Sequence, residues 1–183
     1  TRVVMAPMTR SFSPGGVPNS KVIEYYRRRA AAGVGLIITE GTTVGHKASN
    51  GYPNVPHFYG DAALAGWKKV VDAVHAEGGK IVPQLWHVGS VRRIGTEPDA
   101  SVPAYGPMEK LKDGQVVVHG MTKQDIQDVI GAFAQAAKDA QSIGMDGVEI
   151  HGAHGYLVDQ FFWEGSNQRT DEYGGSLANR SRF

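Results

Sequence analysis

Cysteine is absent from all 183 residues, which removes disulfides, a thiolate nucleophile and any cysteine-ligated metal or iron–sulfur cluster. Any catalyst in this chain is therefore built from His, Tyr, carboxylates, hydroxyls or a bound cofactor. An excess of one charge is missing too, since 19 basic and 18 acidic side chains leave a formal net charge of +1. That balance gives no long-range field to draw nucleic acid or an acidic membrane. The clusters Arg27-Arg28-Arg29 and Arg92-Arg93 are too short for the broad basic stripe of a nucleic-acid footprint, and they read as solvated faces or internal ion-pair partners. No apolar run approaches the ~18 residues that cross a bilayer, and Thr1 to Pro7 has no charged leader before a long apolar core. An initiator methionine is lacking as well, so both ends read as cut, the first inside a strand and the last in the first turn of a helix. The lack of cysteine fits the reducing cytoplasm.

What is present is an ordinary globular composition, 41% hydrophobic and 20% charged with 24 glycines, enough to bury on the order of 70% of the unfolded surface. Four apolar runs, Val3–Met8, Val34–Glu40, Lys80–His87 and Gly147–His151, are nearly continuous rather than alternating. This is the pattern of strands buried on both faces in a parallel sheet. Helical periodicity lies between them. Ser20 to Ala32 sets Val22, Ile23, Tyr26 and Ala30 on one face and stops at Gly33. Asp61 reads as the N-cap of a helix striped by Leu64, Trp67, Val70, Val71 and Val74. Thr122 caps a third, with Ile126, Val129, Ile130, Phe133, Ala137 and Ala140 in register and Gly144 after it.

Strand and helix alternate, which predicts an α/β fold with a parallel sheet. An open doubly wound sheet should carry a glycine-rich phosphate loop after its first strand, and here that place holds Pro7-Met8-Thr9-Arg10. Each run instead ends in polar or aromatic groups: Thr9, Glu40, then Gln84, Trp86 and His87, then His151. Chemistry at the carboxyl ends of several strands is the habit of the TIM (β/α)8 barrel, which needs about 250 residues. The chain thus reads as the first four βα units of one barrel, residues 1–183 forming its N-terminal part. The connection 88–121 holds Asp113-Gly114 and the run Val116–Val118, and predicts a hairpin that covers the barrel mouth. Four strands leave two open edges, with Ile37, Ile81, Val82 and Ile150 expected to lack their partners.

Three groups could carry chemistry. His151-Gly152-Ala153-His154-Gly155-Tyr156 brings two imidazoles and a phenol to one turn. They could clamp a substrate oxygen, hold a metal with Glu149 or Asp159, or simply be hydrogen-bonded structure. Tyr156, with an ordinary pKa of about 10, stays protonated at neutral pH and suits a general acid. Gln84, flanked by apolar strand residues, either pairs with the donor–acceptor edge of a heterocycle or with backbone. Thr9 either reaches a ligand oxygen or caps a turn.

Five blocks in order resemble the Old Yellow Enzyme family of FMN-dependent ene reductases. They are Tyr25-Tyr26-Arg27-Arg28-Arg29-Ala30, Ile38-Thr39-Glu40-Gly41, Gln84-Leu85-Trp86-His87, His151 to Leu157, and Ser166 to Ser176, and the likeness runs from Ala6-Pro7-Met8-Thr9 to the last residue. The resemblance implies a TIM barrel with FMN across the strand ends, reduced by NADPH or NADH, and hydride transfer to the β-carbon of an enone or nitroalkene. It implies that Thr9 bonds the flavin C4 carbonyl, Gln84 the pyrimidine edge, and that Pro7, Met8 and Gly41 line the ring with backbone. His151 and His154 would bind the substrate oxygen, Trp86 would face the substrate, and Tyr156 would protonate the α-carbon. Ser90 stands where the family has Arg after His-x-Gly. The family's phosphate-binding residues lie later than residue 183. Two other readings compete: a metal-dependent hydrolase on the same barrel using His151, His154 and Glu149, and a non-catalytic half-barrel. Expected partners are the small-molecule substrate and either a second copy or the C-terminal half, with no nucleic acid and no membrane.

Overall fold

The computed structural model describes residues Thr1–Phe183. Along the chain lie β1 (Val4–Met5), α1 (Ser20–Ala31), β2 (Leu36–Thr43), α2 (Asp61–Ala76), β3 (Lys80–Trp86), β4 (Ala104–Gly106), β5 (Lys110–Lys112), β6 (Gln115–Gly120), α3 (Lys123–Ser142), β7 (Glu149–Ile150), α4 (Leu157–Phe162) and α5 (Leu177–Arg180). They form two compact units. One comprises Thr1–Gly45, Pro53–Trp86 and Phe133–Ile150, the other His46–Tyr52, His87–Ala132 and His151–Phe183. No helix is long and apolar enough to cross a membrane.

In the first unit all strand pairs are parallel and the sheet order is β1-β2-β3-β7. Neighbours in the sheet thus follow chain order, as in a barrel. A doubly wound sheet would reverse direction at a switch point. Right-handed crossovers then bring α1 and α2 to the same face. There Val22, Tyr26 and Ala30 of α1, and Trp67, Val70, Val71 and Val74 of α2, are buried. The register partners Ile37 and Ile81 are both fully buried, so they are covered, contrary to the expectation of bare faces. Ile150, on the edge strand β7, is 53% exposed, and Val4 on β1 is 54% exposed.

Asn19 caps α1, its side chain accepting from Lys21 N–H at 3.0 Å and Val22 N–H at 3.2 Å. The N-cap of α2 is Gly60 at φ 77°, and Asp61 is instead the first helical residue, where its carboxylate complements the helix dipole. The edge strands are shorter than the apolar runs suggested, because each has a ladder on one side only. β2 is longer, extended by Thr43, which bridges to His57. Glu40 therefore lies within β2 rather than at its end.

One extra residue in β2 decides where its side chains point. Ile38 pairs with Val82 and Gly41 with Gln84, so three steps on β2 match two on β3. Such a bulge re-aims side chains. Thr39 ties it down, its hydroxyl donating to the Glu40 carbonyl at 2.7 Å and accepting from Gln84 N–H at 3.1 Å.

The second unit carries a sheet of order β4-β6-β5. β5 and β6 are the antiparallel hairpin expected at Asp113-Gly114, both of which take positive φ, 51° and 75°, as a type I′ turn requires. Thr122 opens α3 by exchanging bonds with Asp125: Asp125 N–H to the Thr122 hydroxyl at 3.1 Å, and Thr122 N–H to the carboxylate at 2.8 Å. Arg92 is buried and donates to the carbonyls of Asn50, Thr96, Glu97 and Asp99, organising the segment after Ser90 by backbone contacts. Arg169 grips Asp171 through two nitrogens and also donates to Pro107 and Met121 carbonyls. Ser176 caps α5, and the Arg169 bonds order the Ser166–Ser176 loop that leads into it.

Candidate active site

In the first unit, Gly41 and Gln84 sit side by side on β2 and β3, followed by Thr43 beside Trp86. A Cβ on Gly41 would come within 2.5 Å of the Trp86 indole, so the glycine is required by that ring. Gln84 is 7% exposed. Its backbone is satisfied by the Thr39 and Thr42 hydroxyls, and its carboxamide makes no hydrogen bond within the chain. The reading of Gln84 as a residue spent on backbone is thereby weakened.

Pro7, Met8 and Thr9 follow β1, with Met8 60% exposed. The next residue anchors them. Arg10 donates to Glu40 through Nη2 at 2.5 Å and through its backbone N–H at 3.4 Å. Tyr26 donates its hydroxyl to the same carboxylate at 3.3 Å and accepts Glu40 N–H at 2.9 Å. Burial and the Glu40 charge hold the Tyr26 phenol protonated far above its ordinary range. The guanidiniums of Arg10 and Arg29 lie 3.5 and 3.4 Å from the Tyr25 ring centroid; in the arginine cluster it is Arg27 that forms ion pairs, with Glu24 and Glu77.

In the second unit, the turn after residue 150 gathers His151, His154 and Tyr156. His154 and Gly155 adopt left-handed φ, 62° and 74°, a conformation His tolerates better than most side chains. Asp159 accepts Gly155 N–H at 2.7 Å and the Gln160 amide donates to the Gly155 carbonyl at 2.6 Å, which fixes the turn. The His151 ring meets His154 edge-on at 5.4 Å and Tyr156 at 5.0 Å between centroids. Burial, then the charge of His154, pushes the His151 pKa down, so His151 is neutral near pH 7 and can donate one N–H. Burial and the neighbouring Tyr52 raise Tyr156 to about 12.

Tyr52 was not foreseen from the sequence: its hydroxyl lies 3.1 Å from that of Tyr156. Nor was His46, whose ring bonds at 3.0 Å to that of His87, a strand-end group the sequence did mark but without this partner. His87 Nδ1 accepts Gly89 N–H and His46 Nδ1 accepts Ala48 N–H, so His87 Nε2–H is the donor between them. Burial pushes His46 down to about 4 and His87 well below its ordinary value. For the metal reading, no group of three or more His, Asp or Glu side chains is arranged to hold an ion. The predicted residues thus fall into one group on β2 and β3, the anchored Pro7–Thr9 segment, and one group on the turn from His151 to Tyr156.

A parallel sheet whose strands follow chain order defines an α/β-barrel protein. The NADH:flavin oxidoreductase / NADH oxidase family matches residues 1–183, and the chain belongs to that family. Rice 12-oxophytodienoate reductase 7 (Oryza sativa subsp. japonica) is 44% identical over 194 residues, covering 100% of this chain and 49% of the relative. Arabidopsis thaliana 12-oxophytodienoate reductase 2 is 42% identical over 193 residues, with 100% and 51% covered. Among solved structures, morphinone reductase in complex with tetrahydroNAD superposes with a TM-score of 0.90 at 39% identity, covering 100% of this chain and 53% of that one. The chain therefore spans about half the length of the relatives it matches, and its fold is the first four βα units of their barrel.

Proposed function

We propose that the protein carrying this chain is an FMN-dependent oxidoreductase that reduces the activated C=C bond of α,β-unsaturated carbonyl or nitro compounds with NADPH or NADH. The observation that carries this reading is the turn presenting a neutral His151, His154 and a protonated Tyr156 together, in a chain of the flavin oxidoreductase family. The unpaired Gln84 carboxamide fits FMN, because an amide matches the alternating donors and acceptors of its pyrimidine edge. Thr9 supplies a hydroxyl for the C4 carbonyl, and Pro7, Met8 and Gly41 offer backbone. Bound FMN would supply a two-electron carrier between the nicotinamide and the alkene.

The rest of the chemistry belongs to side chains of this chain. His151 and His154 donate N–H to the substrate oxygen, where negative charge develops as hydride arrives. Tyr156 holds a proton at its hydroxyl for the α-carbon. Trp86 forms an apolar wall for the substrate. Residues 88–121 serve as the cover that excludes water. The open edges β1 and β7 are closed by the strands that the relatives' second half contributes, and a second copy of the chain is the alternative partner. A nicotinamide-fed reduction suits the cytoplasm.

Spectroscopy of the purified full-length protein tests this reading. A flavin absorption band with stoichiometric FMN, no stoichiometric zinc and turnover of 2-cyclohexenone is expected. A colourless protein carrying one zinc would favour the hydrolase built on His151, His154 and Glu149.

A further inference from the structure

Tyr156 needs help to act as an acid. Its proton is held tightly, with a pKa of about 12, so a phenolate left behind after proton transfer must be stabilised at once. At rest Tyr52 helps to hold that proton; once it has left, the Tyr52 hydroxyl, 3.1 Å away with the two rings edge-on at 85° and 6.5 Å between centroids, can turn its own O–H toward the phenolate. The placement is built rather than incidental. The Asn50 side chain accepts Gly51 N–H at 2.8 Å and Tyr52 N–H at 3.0 Å, an Asx turn that aims Tyr52. Asn50 is 2% exposed, and its carbonyl is held by the buried Arg92 at 2.5 Å. Both tyrosines are half-buried, so a proton can reach the pair from solvent without opening the fold.

We infer that Tyr52 is a relay residue: its hydroxyl donates to Tyr156 while Tyr156 protonates the α-carbon, then passes its own proton on and recovers one from water. This rests on the reading of Tyr156 as the acid. The balance is closed. The Tyr156 O–H bond breaks as the α-carbon C–H bond forms, the Tyr52 proton moves to the Tyr156 oxygen, and one solvent proton restores Tyr52. The electrons come entirely from the nicotinamide-derived hydride.

The test uses the full-length FMN-loaded protein with NADPH and 2-cyclohexenone, the two half-reactions being followed separately in H₂O–D₂O mixtures. Tyr52→Phe should leave flavin reduction unchanged and slow alkene reduction by about ten- to a hundredfold, the range of one charge-assisted hydrogen bond. The proton inventory of alkene reduction should be bowed in the wild type, with two protons in motion, and linear in Tyr52→Phe. With ¹³Cζ-labelled tyrosine, the Tyr156 resonance should shift in Tyr52→Phe, which reports the lost bond independently of turnover. A slowed variant whose inventory matches a linear wild type would reduce Tyr52 to packing and overturn the relay. So would an unchanged rate in Tyr52→Phe beside a slowed Tyr156→Phe. If Tyr156→Phe itself reduces the alkene at the wild-type rate, the acid assignment fails and the relay fails with it.

Discussion

Glu40 receives the Arg10 guanidinium at 2.5 Å with its own side chain fully excluded from water. Because Arg10 follows Thr9 directly, this pair ties the segment after β1 to the middle of β2. The bulge in β2 is what makes the tie, since without the extra residue Glu40 would have faced the other side of the sheet.

Glu40→Ala would leave the Arg10 guanidinium, whose side chain is only 12% exposed, without its carboxylate, and loss of one partner of a buried pair costs up to about 3–5 kcal/mol. The urea midpoint of the full-length protein should fall accordingly, and FMN should be retained less well on desalting. Glu40→Gln, which keeps an acceptor, should fall by less. Equal midpoints for wild type and Glu40→Ala would mean that the pair does not hold Thr9 in place.

On the proposed reading, Tyr156→Phe removes only the proton donor. Flavin reduction by nicotinamide should continue at the wild-type rate, whereas alkene reduction should slow by about 10²–10⁴-fold. Rapid-mixing kinetics of the two half-reactions separate these effects, and equal slowing of both would take Tyr156 out of the role.

His151 and His154 are expected to receive an anionic oxygen. A phenol of low pKa should bind as its phenolate and produce a long-wavelength band with the flavin. His151→Ala or His154→Ala should weaken that binding by roughly 1.5–3 kcal/mol per charge-assisted bond. Titration of the band gives the affinity, and unchanged values in both variants would contradict the clamp.

On the proposed reading, Thr9→Ala would withdraw a donor from the flavin C4 carbonyl, where charge accumulates on reduction. The reduction potential should become more negative and reduction by NADPH slower, with hydride passing to the alkene at least as fast. A potential equal to wild type in a dye-coupled titration would leave Thr9 as a turn cap.

The buried pair His46 and His87 sets an acid limit on stability. His46 titrates at about 4 in the fold against an ordinary 6.5, so below pH 6.5 the unfolded chain binds a proton that the folded chain refuses. Stability is complete above that value and is lost as pH falls toward 4, by up to about 1.4 kcal/mol per pH unit for each histidine. His87 acts in the same direction. Urea midpoints of the full-length protein at pH 7, 6 and 5 should decline, and His46→Gln should flatten the slope by one proton. A slope unaffected by His46→Gln would mean that His46 is solvated.

Local pattern was enough for much of this protein. The apolar runs, helical stripes, Gly33 and Gly144 stops and the Thr122–Asp125 cap depend on residues a few positions apart, so the alternation of strand and helix is legible in one dimension. The turn from His151 to Tyr156 is legible for the same reason, being six consecutive residues with glycines between the functional groups. Strand lengths were less so, because β1 and β7 are cut short by having one neighbour each.

What the tertiary structure alone decided are the relationships that span the chain. Tyr52 and Tyr156 are 104 residues apart, His46 and His87 are 41 apart, and Arg92 finds the Asn50 carbonyl 42 residues upstream. Nothing in the spacing of these residues marks them, since a hydroxyl, an imidazole or a guanidinium acquires its partner only when strands and loops converge. The bulge at Thr39 and Glu40 belongs with them: its extra residue exists only relative to β3. The sequence by itself determined which segments form strands and helices and which short turn gathers two histidines and a tyrosine, because those follow from local periodicity and residue type. Side-chain direction and proton affinity were left to packing, because burial and the nearest partner are properties of the folded neighbourhood.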